Sequence, residues 1–211
     1  MDWIFHNMRL CFIIILLAAV LLLKLSTPLI VKIWGISSDR KLRKRAERGD
    51  AEAQLLWGNY LVSKGECPQG IVWLRKAMEA GNLSAKACIA ALMIEGKGIS
   101  QDVEGGMVML REVVEKNNPI GQYMLASFYS EGYGVEKNAE EELRLLRLAA
   151  EQNLAEAQYD LGMCYLEGKG VPRDTDTAIS YLRRAAENPD PDMRAVELLD
   201  ELGVSYTPPW E

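Results

Sequence analysis

The chain of 211 residues has a single histidine, His6, and it stands ahead of a long apolar run. Neutral-pH proton transfer beside a Ser or Cys nucleophile most often uses histidine, so no such triad can be assembled in the body of the chain. The four cysteines, Cys11, Cys67, Cys88 and Cys164, form no CxxC pair, which excludes the familiar zinc spacings. Cys88 and Cys164 fall in helical patterns as small hydrophobes; if a disulfide forms, Cys67 and Cys88 are the pair whose positions could approach. There is no GxxxxGK[ST] and no GxGxxG opening a helix after a strand. Glu140, Glu141 and Glu142 read as a solvated helix start, where carboxylates meet the positive end of the dipole. The expectation is a non-enzymatic chain with no catalytic, cofactor-binding or metal-binding residue and no small-molecule substrate.

Positive charge is scarce beyond residue 45. Residues 1–45 hold eight Lys/Arg against two acids, whereas 46–211 hold sixteen against twenty-eight. An acidic body repels phosphate backbones, so nucleic acid is not expected as a partner.

Leu10 to Leu23 is an unbroken fourteen-residue apolar run. With Arg9 before it, the run matches the n- and h-regions of a signal sequence. A span of about 20 residues is reached if Lys24 snorkels and the stretch to Trp34 continues into the headgroup layer. The only small-residue cleavage candidate, Gly35-Ile36-Ser37, lies far past the run, so residues 1–36 read as an uncleaved single-pass anchor. Two signals disagree on topology. Arg40, Lys41, Arg43, Lys44 and Arg45 argue for a cytoplasmic domain, and the leader argues for export, toward the periplasmic face of a bacterial inner membrane.

Self-comparison decides the fold. Glu95-Gly96-Lys97-Gly98-Ile99 returns as Glu131-Gly132-Tyr133-Gly134-Val135 and as Glu167-Gly168-Lys169-Gly170-Val171, a step of 36 both times. The same step relates Ala85-Lys86, Gly121-Gln122 and Ala157-Gln158. An earlier copy begins at Ala53-Gln54 and lacks four residues in its inter-helix loop. Each copy reads as two helices. In the first, Ala157, Leu161, Gly162 and Tyr165 form one buried stripe, with counterparts Ala53, Trp57, Gly58, Leu61, then Ala85, Ile89, Ala90, Met93, then Gly121, Leu125, Ala126, Tyr129. In the second, Ala178, Tyr181, Leu182 and Ala185 supply the facing stripe.

These residues resemble the Sel-one-like repeat family, a relative of the tetratricopeptide repeat. The fourth copy carries nearly the whole pattern in Ala157-Gln158, Leu161-Gly162, Tyr165, Gly168-Lys169-Gly170-Val171 and Arg184-Ala185-Ala186. The first copy departs, with Ser63-Lys64-Gly65-Glu66 in place of the double-glycine turn. The expected architecture is all-α: a right-handed α/α solenoid of four helix-pair repeats (53–82, 83–118, 119–154, 155–190). It follows an N-terminal transmembrane helix and a basic linker with a leading cap helix (37–52). A capping helix and tail (191–211) close it, with Met193, Val196, Leu199 and Leu202 as the cap's apolar face. Asn82-Leu83-Ser84 also fits a glycosylation acceptor.

In such a solenoid the first helices line the concave face. The stripe opposite the core holds Leu55, Asn59, Tyr123, Ser127, Tyr159 and Met163, with Ala87 and Ala91, and partner binding is expected there. Tyr123 and Tyr159 occupy equivalent positions one repeat apart, and they serve either binding or inter-repeat packing. The resemblance implies adaptor roles. Small exported bacterial members look like immunity proteins that neutralise secreted toxins, including phospholipase effectors of type VI secretion; a membrane-tethered scaffold is the alternative.

Overall fold

The computed structural model describes residues 39–209. Among them there are ten helices and no strand. A leading helix α1 (39–47) is followed by α2 (Ala51–Ser63), α3 (Cys67–Glu79), α4 (Leu83–Glu95), α5 (Val103–Glu115), α6 (Pro119–Glu131), α7 (Ala139–Glu151), α8 (Ala155–Glu167), α9 (Thr175–Ala186) and α10 (Met193–Glu201). The pairs α2/α3, α4/α5, α6/α7 and α8/α9 pack most extensively, and each second helix leans on the next first helix. No described helix is long and apolar enough to cross a membrane. The expected anchor over residues 1–36 and the tail's Trp210 lie outside the described residues.

The helices start where short polar side chains can accept from freed backbone N–H groups. Asp50, Asn82 and Asn118 cap α2, α4 and α6, accepting from Ala53, Ala85 and Gly121. Asp102, Asn138 and Asp174, spaced by 36, cap α5, α7 and α9, while α3 and α8 start without a side-chain cap. Asn82 also donates to Glu52, so its amide ties two repeats together.

The double-glycine turns have a tertiary reason. Gly98, Gly134 and Gly170 all have φ near +70°. A Cβ on them would lie 2.4 Å from Cys67 Cβ, 2.8 Å from Val103 Cγ1 and 2.8 Å from Leu143 Cδ1, respectively. Each therefore packs its bare backbone against the second helix of the preceding repeat. Gly65, in the divergent first turn, would meet nothing within 4 Å. The first copy can lose the pattern because no helix pair precedes it.

The core follows the stack in three clusters, over α2–α4, α4–α8 and α9–α10. Leu74, Leu110, Leu146 and Leu182 stand at one register of the second helices and are all buried. Burying such a side chain contributes about 1.5–3 kcal/mol. Trp57, Met93, Tyr129 and Tyr165, expected on the buried stripe, are only half-buried; Tyr165 stacks on Tyr181 with centroids 5.9 Å apart.

One expectation needs correction. Met193 and Leu202 of the cap are exposed, because α10 turns only Ala195, Val196 and Leu199 inward against α9. The described part of the tail is tied to α9: Arg183 donates to the Ser205 carbonyl at 2.9 Å, and the Thr207 N–H donates to Glu187 at 3.0 Å. Cys67, Cys88 and Cys164 are free thiols, and the one pair that the sequence left open, Cys67–Cys88, is not joined.

Candidate functional site

The inner face is not uniform along the stack. α2 touches α4 and α4 packs on α6, whereas α6 and α8 make little direct contact. A cavity of about 240 Å³ opens between them, lined by Tyr123, Ser127 and Ser130 of α6, Glu142 of α7, Asp160, Met163, Cys164 and Glu167 of α8, and Lys169 of the following turn.

Three of those side chains break the repeat. Glu142 is only 7% exposed and stands where the other copies have Gly70, Gly106 and Ala178. At that register the two helices of a repeat cross closely. A Cβ on Gly58 would lie 3.0 Å from the Gly70 carbonyl, and one on Gly162 3.2 Å from the Ala178 carbonyl. Ser130 replaces Ile94 and Leu166, and Asp160 replaces Cys88 and Met124. Burying a carboxylate is costly unless it is paired, and the solenoid is built elsewhere without these groups. Polarity is thus concentrated at one inter-repeat junction.

The electrostatics are unevenly balanced. Lys169 Nζ donates to Glu142 Oε1 at 2.8 Å and to Ser130 Oγ at 3.0 Å, and the first of these bonds raises its pKa. Asp160 is less well served. Burial lifts its carboxyl above the usual range, while the Tyr123 hydroxyl and the Arg194 charge only partly oppose this. Arg194 of α10 is engaged mainly by Asp192, with Nε to Oδ1 at 3.0 Å, and it reaches Asp160 at 3.5 Å. Its guanidinium lies over the Tyr159 ring, 4.2 Å from the centroid. Burial, and then the Asp160 charge, push the Tyr123 hydroxyl up to about 12. The Cys164 thiol is pushed up to about 11 by burial, with Glu142 adding to it. Among the described residues no group of His, Cys, Asp or Glu could hold a metal ion.

Of the residues expected to line the concave face, the fold brings Tyr123, Ser127 and Met163 together in the cavity wall. Tyr159 stands beside it beneath Arg194. Leu55 is a correction: it is 3% exposed and belongs to the core between α2 and α4, since those two first helices touch. Ala87 is buried for the same reason, against α6. Asn59 is exposed near Cys88, whose thiol it hydrogen-bonds, far along the stack from the cavity. Glu142 is a second correction, because it faces the junction instead of solvent. Motif reading assigned no binding role to Glu142, Asp160, Ser130 or Lys169. A register-by-register comparison at the step of 36, looking for polar residues at small or apolar positions, finds the first three.

A family model described as Sel1 repeat matches residues 51–82, 119–154 and 155–190. The unmatched 83–118 segment nevertheless folds as the same helix pair. A comparison with curated proteins gives no match. Among solved structures, the chain is similar to a protective antigen present in uropathogenic Escherichia coli strains that displays an SLR fold. That match has 30% identity and a TM-score of 0.53, covering 80% of this chain. The chain spans only 37% of that antigen's length. It also shares its fold with a Sel1 repeat protein from Oxalobacter formigenes, at 22% identity and a TM-score of 0.58, covering 82% of this chain and 78% of that one. The 36-residue step, the ten-helix stack and these matches have one meaning: the chain is a Sel1-repeat protein.

Proposed function

We propose that this chain is a membrane-anchored, non-enzymatic protein-binding solenoid, and that it acts as an immunity protein against a secreted toxin such as a type VI secretion phospholipase effector. The observation that carries the binding role is the polar junction between the third and fourth repeats. The other copies carry small or apolar residues at these registers, and a polar groove on a concave face suits the surface of a protein partner. Stacked repeats present rigid concave surfaces, which lowers the ordering cost of binding. The apolar run Leu10–Leu23 supports a bacterial inner-membrane anchor. The leader supports placing the repeats on the periplasmic side, where a membrane-attacking enzyme would arrive.

Two measurements test this. A reporter fused at the C-terminus reads topology, and a cytoplasmic signal removes the periplasmic immunity role. The full chain in neutral detergent micelles should bind and inhibit a toxin encoded beside it; no binding and no inhibition would count against the proposal.

A scaffold role has one observation in its favour. Val72 and Val108, each 52% exposed, stand one repeat apart on the second helices and give the rod a second, apolar face. Simultaneous occupancy by two different proteins would favour that reading.

A further inference from the structure

We infer that the outer face of α1 is a docking surface for anionic phospholipid headgroups, seating the first end of the rod on the bilayer. This deepens the proposed membrane attachment and rests on it for bringing α1 to the surface.

The face is set by helical phase. At about 100° per residue, Asp39, Leu42 and Ala46 share one side of α1, and that side is turned to α2. Ala46 is buried and its carbonyl accepts from Gln54 at 3.1 Å, while Asp39 accepts from the Tyr60 hydroxyl at 2.7 Å. Arg40, Lys41 and Lys44 fall on the opposite side, and Arg48 extends it into the following turn; all four are exposed. Arg43 and Arg45 have acids of their own, Glu47 at 2.9 Å and Asp50 at 2.7 Å. Arg40, Lys41, Lys44 and Arg48 have none among the described residues. The helix thus turns a row of uncompensated cations away from the stack.

Charge distribution selects a surface over a polymer. Net charge runs from +3 over residues 39–50 through 0, −1, −3 and −3 over 51–82, 83–118, 119–154 and 155–190 to −4 over 191–211. Nucleic acid or an acidic protein lying along the rod would meet growing repulsion. A flat anionic surface can touch α1 alone while the acidic repeats point away from it. It attracts the first end and repels the last, which stands the rod off the bilayer.

Chain length and neighbours agree. Trp34, expected in the headgroup layer, is five residues before Asp39, so at most about 18 Å of chain separates α1 from that layer. The start of α1 also meets side chains of the kind that favour membrane interfaces. Tyr60 stacks on Trp57 with centroids 5.1 Å apart, Lys64 lies over the Tyr60 ring, and Leu56 is 46% exposed.

The test reconstitutes the full chain in phosphatidylcholine vesicles containing or lacking phosphatidylglycerol. N-acetoxysuccinimide acetylates the lysines at low salt, and mass spectrometry reads the rate at each. Lys41 and Lys44 should react several-fold more slowly on the anionic vesicles, and the difference should vanish in high salt. Lys116 and Lys137, exposed on later repeats, should react alike on both. Arg40→Gln/Arg48→Gln keeps both reporter lysines and should lose most of the protection. A short DNA duplex at equal phosphate, added to phosphatidylcholine vesicles, should protect far less. Unchanged rates at Lys41 and Lys44, protection that persists in high salt or in the double variant, or equal protection by the duplex would overturn the docking face. Retention through an alkaline wash reads the anchor separately. A chain held by both vesicles with Lys41 and Lys44 unmoved keeps its anchor and loses the face. One washed from phosphatidylcholine vesicles yet protected on anionic ones loses the anchor and keeps the face.

Discussion

The ammonium of Lys169, in the turn after α8, donates to the carboxylate of Glu142 on α7 at 2.8 Å and so joins the fourth repeat to the third. Lys169 is half-exposed and Glu142 is not. Losing the cation leaves a buried carboxylate unpaired, whereas losing the acid leaves a lysine that can reach water. Breaking a fully buried pair costs about 3–5 kcal/mol, and water screens part of this one. Lys169→Met is expected to cost about 1–3 kcal/mol in chemical denaturation and Glu142→Ala much less. The double variant should match Glu142→Ala.

Asp160 predicts a pH dependence of definite sign. Burial raises its folded pKa above the ordinary 3.8. An acid so shifted favours the folded state most when protonated, at or below pH 3.8. That contribution is lost as pH rises from 3.8 through the raised folded value. Asp160→Asn should therefore be more stable than the parent at pH 7, with the difference shrinking toward pH 4. Parallel thermal melts at the two pH values read it, and a constant difference would contradict the assignment.

The turn glycines differ in what surrounds them. Gly65→Ala forces an L-residue to φ +83° with open space around it, which costs about 1–2 kcal/mol. Gly98→Ala meets the same backbone restriction and drives a methyl into Cys67, adding about 1–3 kcal/mol of overpacking. Urea midpoints of the two variants should rank accordingly, Gly98→Ala being the less stable.

Thiol labelling checks the packing independently. Burial pushes Cys88 up to about 11, as it does Cys164, so neither carries much thiolate at pH 8. In a Cys11→Ser background, Cys67, which is half-buried at the start of α3, should react with a disulfide reagent well before the other two. Equal rates under native conditions would mean that the helix pairs open readily.

Much of the fold was legible without coordinates. The spacing of Gly98, Gly134 and Gly170 announced the repeat, and Leu161-Gly162 with Ala178 and Leu182 announced two facing stripes per copy. The site was legible only in part. Tyr123, Ser127 and Met163, read from the face opposite that stripe, line the cavity between α6 and α8. Leu55 has the same helical phase and is nevertheless core, because contact between neighbouring first helices is a property of the stack and leaves no trace in one helix's periodicity. Glu142 was misread for a related reason: a carboxylate three residues into a helix looks solvated until the crossing helix is in place.

Helical period, turn chemistry and the 36-residue step are local properties, written into consecutive residues by backbone sterics and side-chain spacing, and they determined the class and number of the repeats. Which junction would open, which acid would be buried and which thiols would be sealed depended on how closely neighbouring helices approach each other. That distance is set by side chains far apart in the chain acting together, so only the assembled stack decided it.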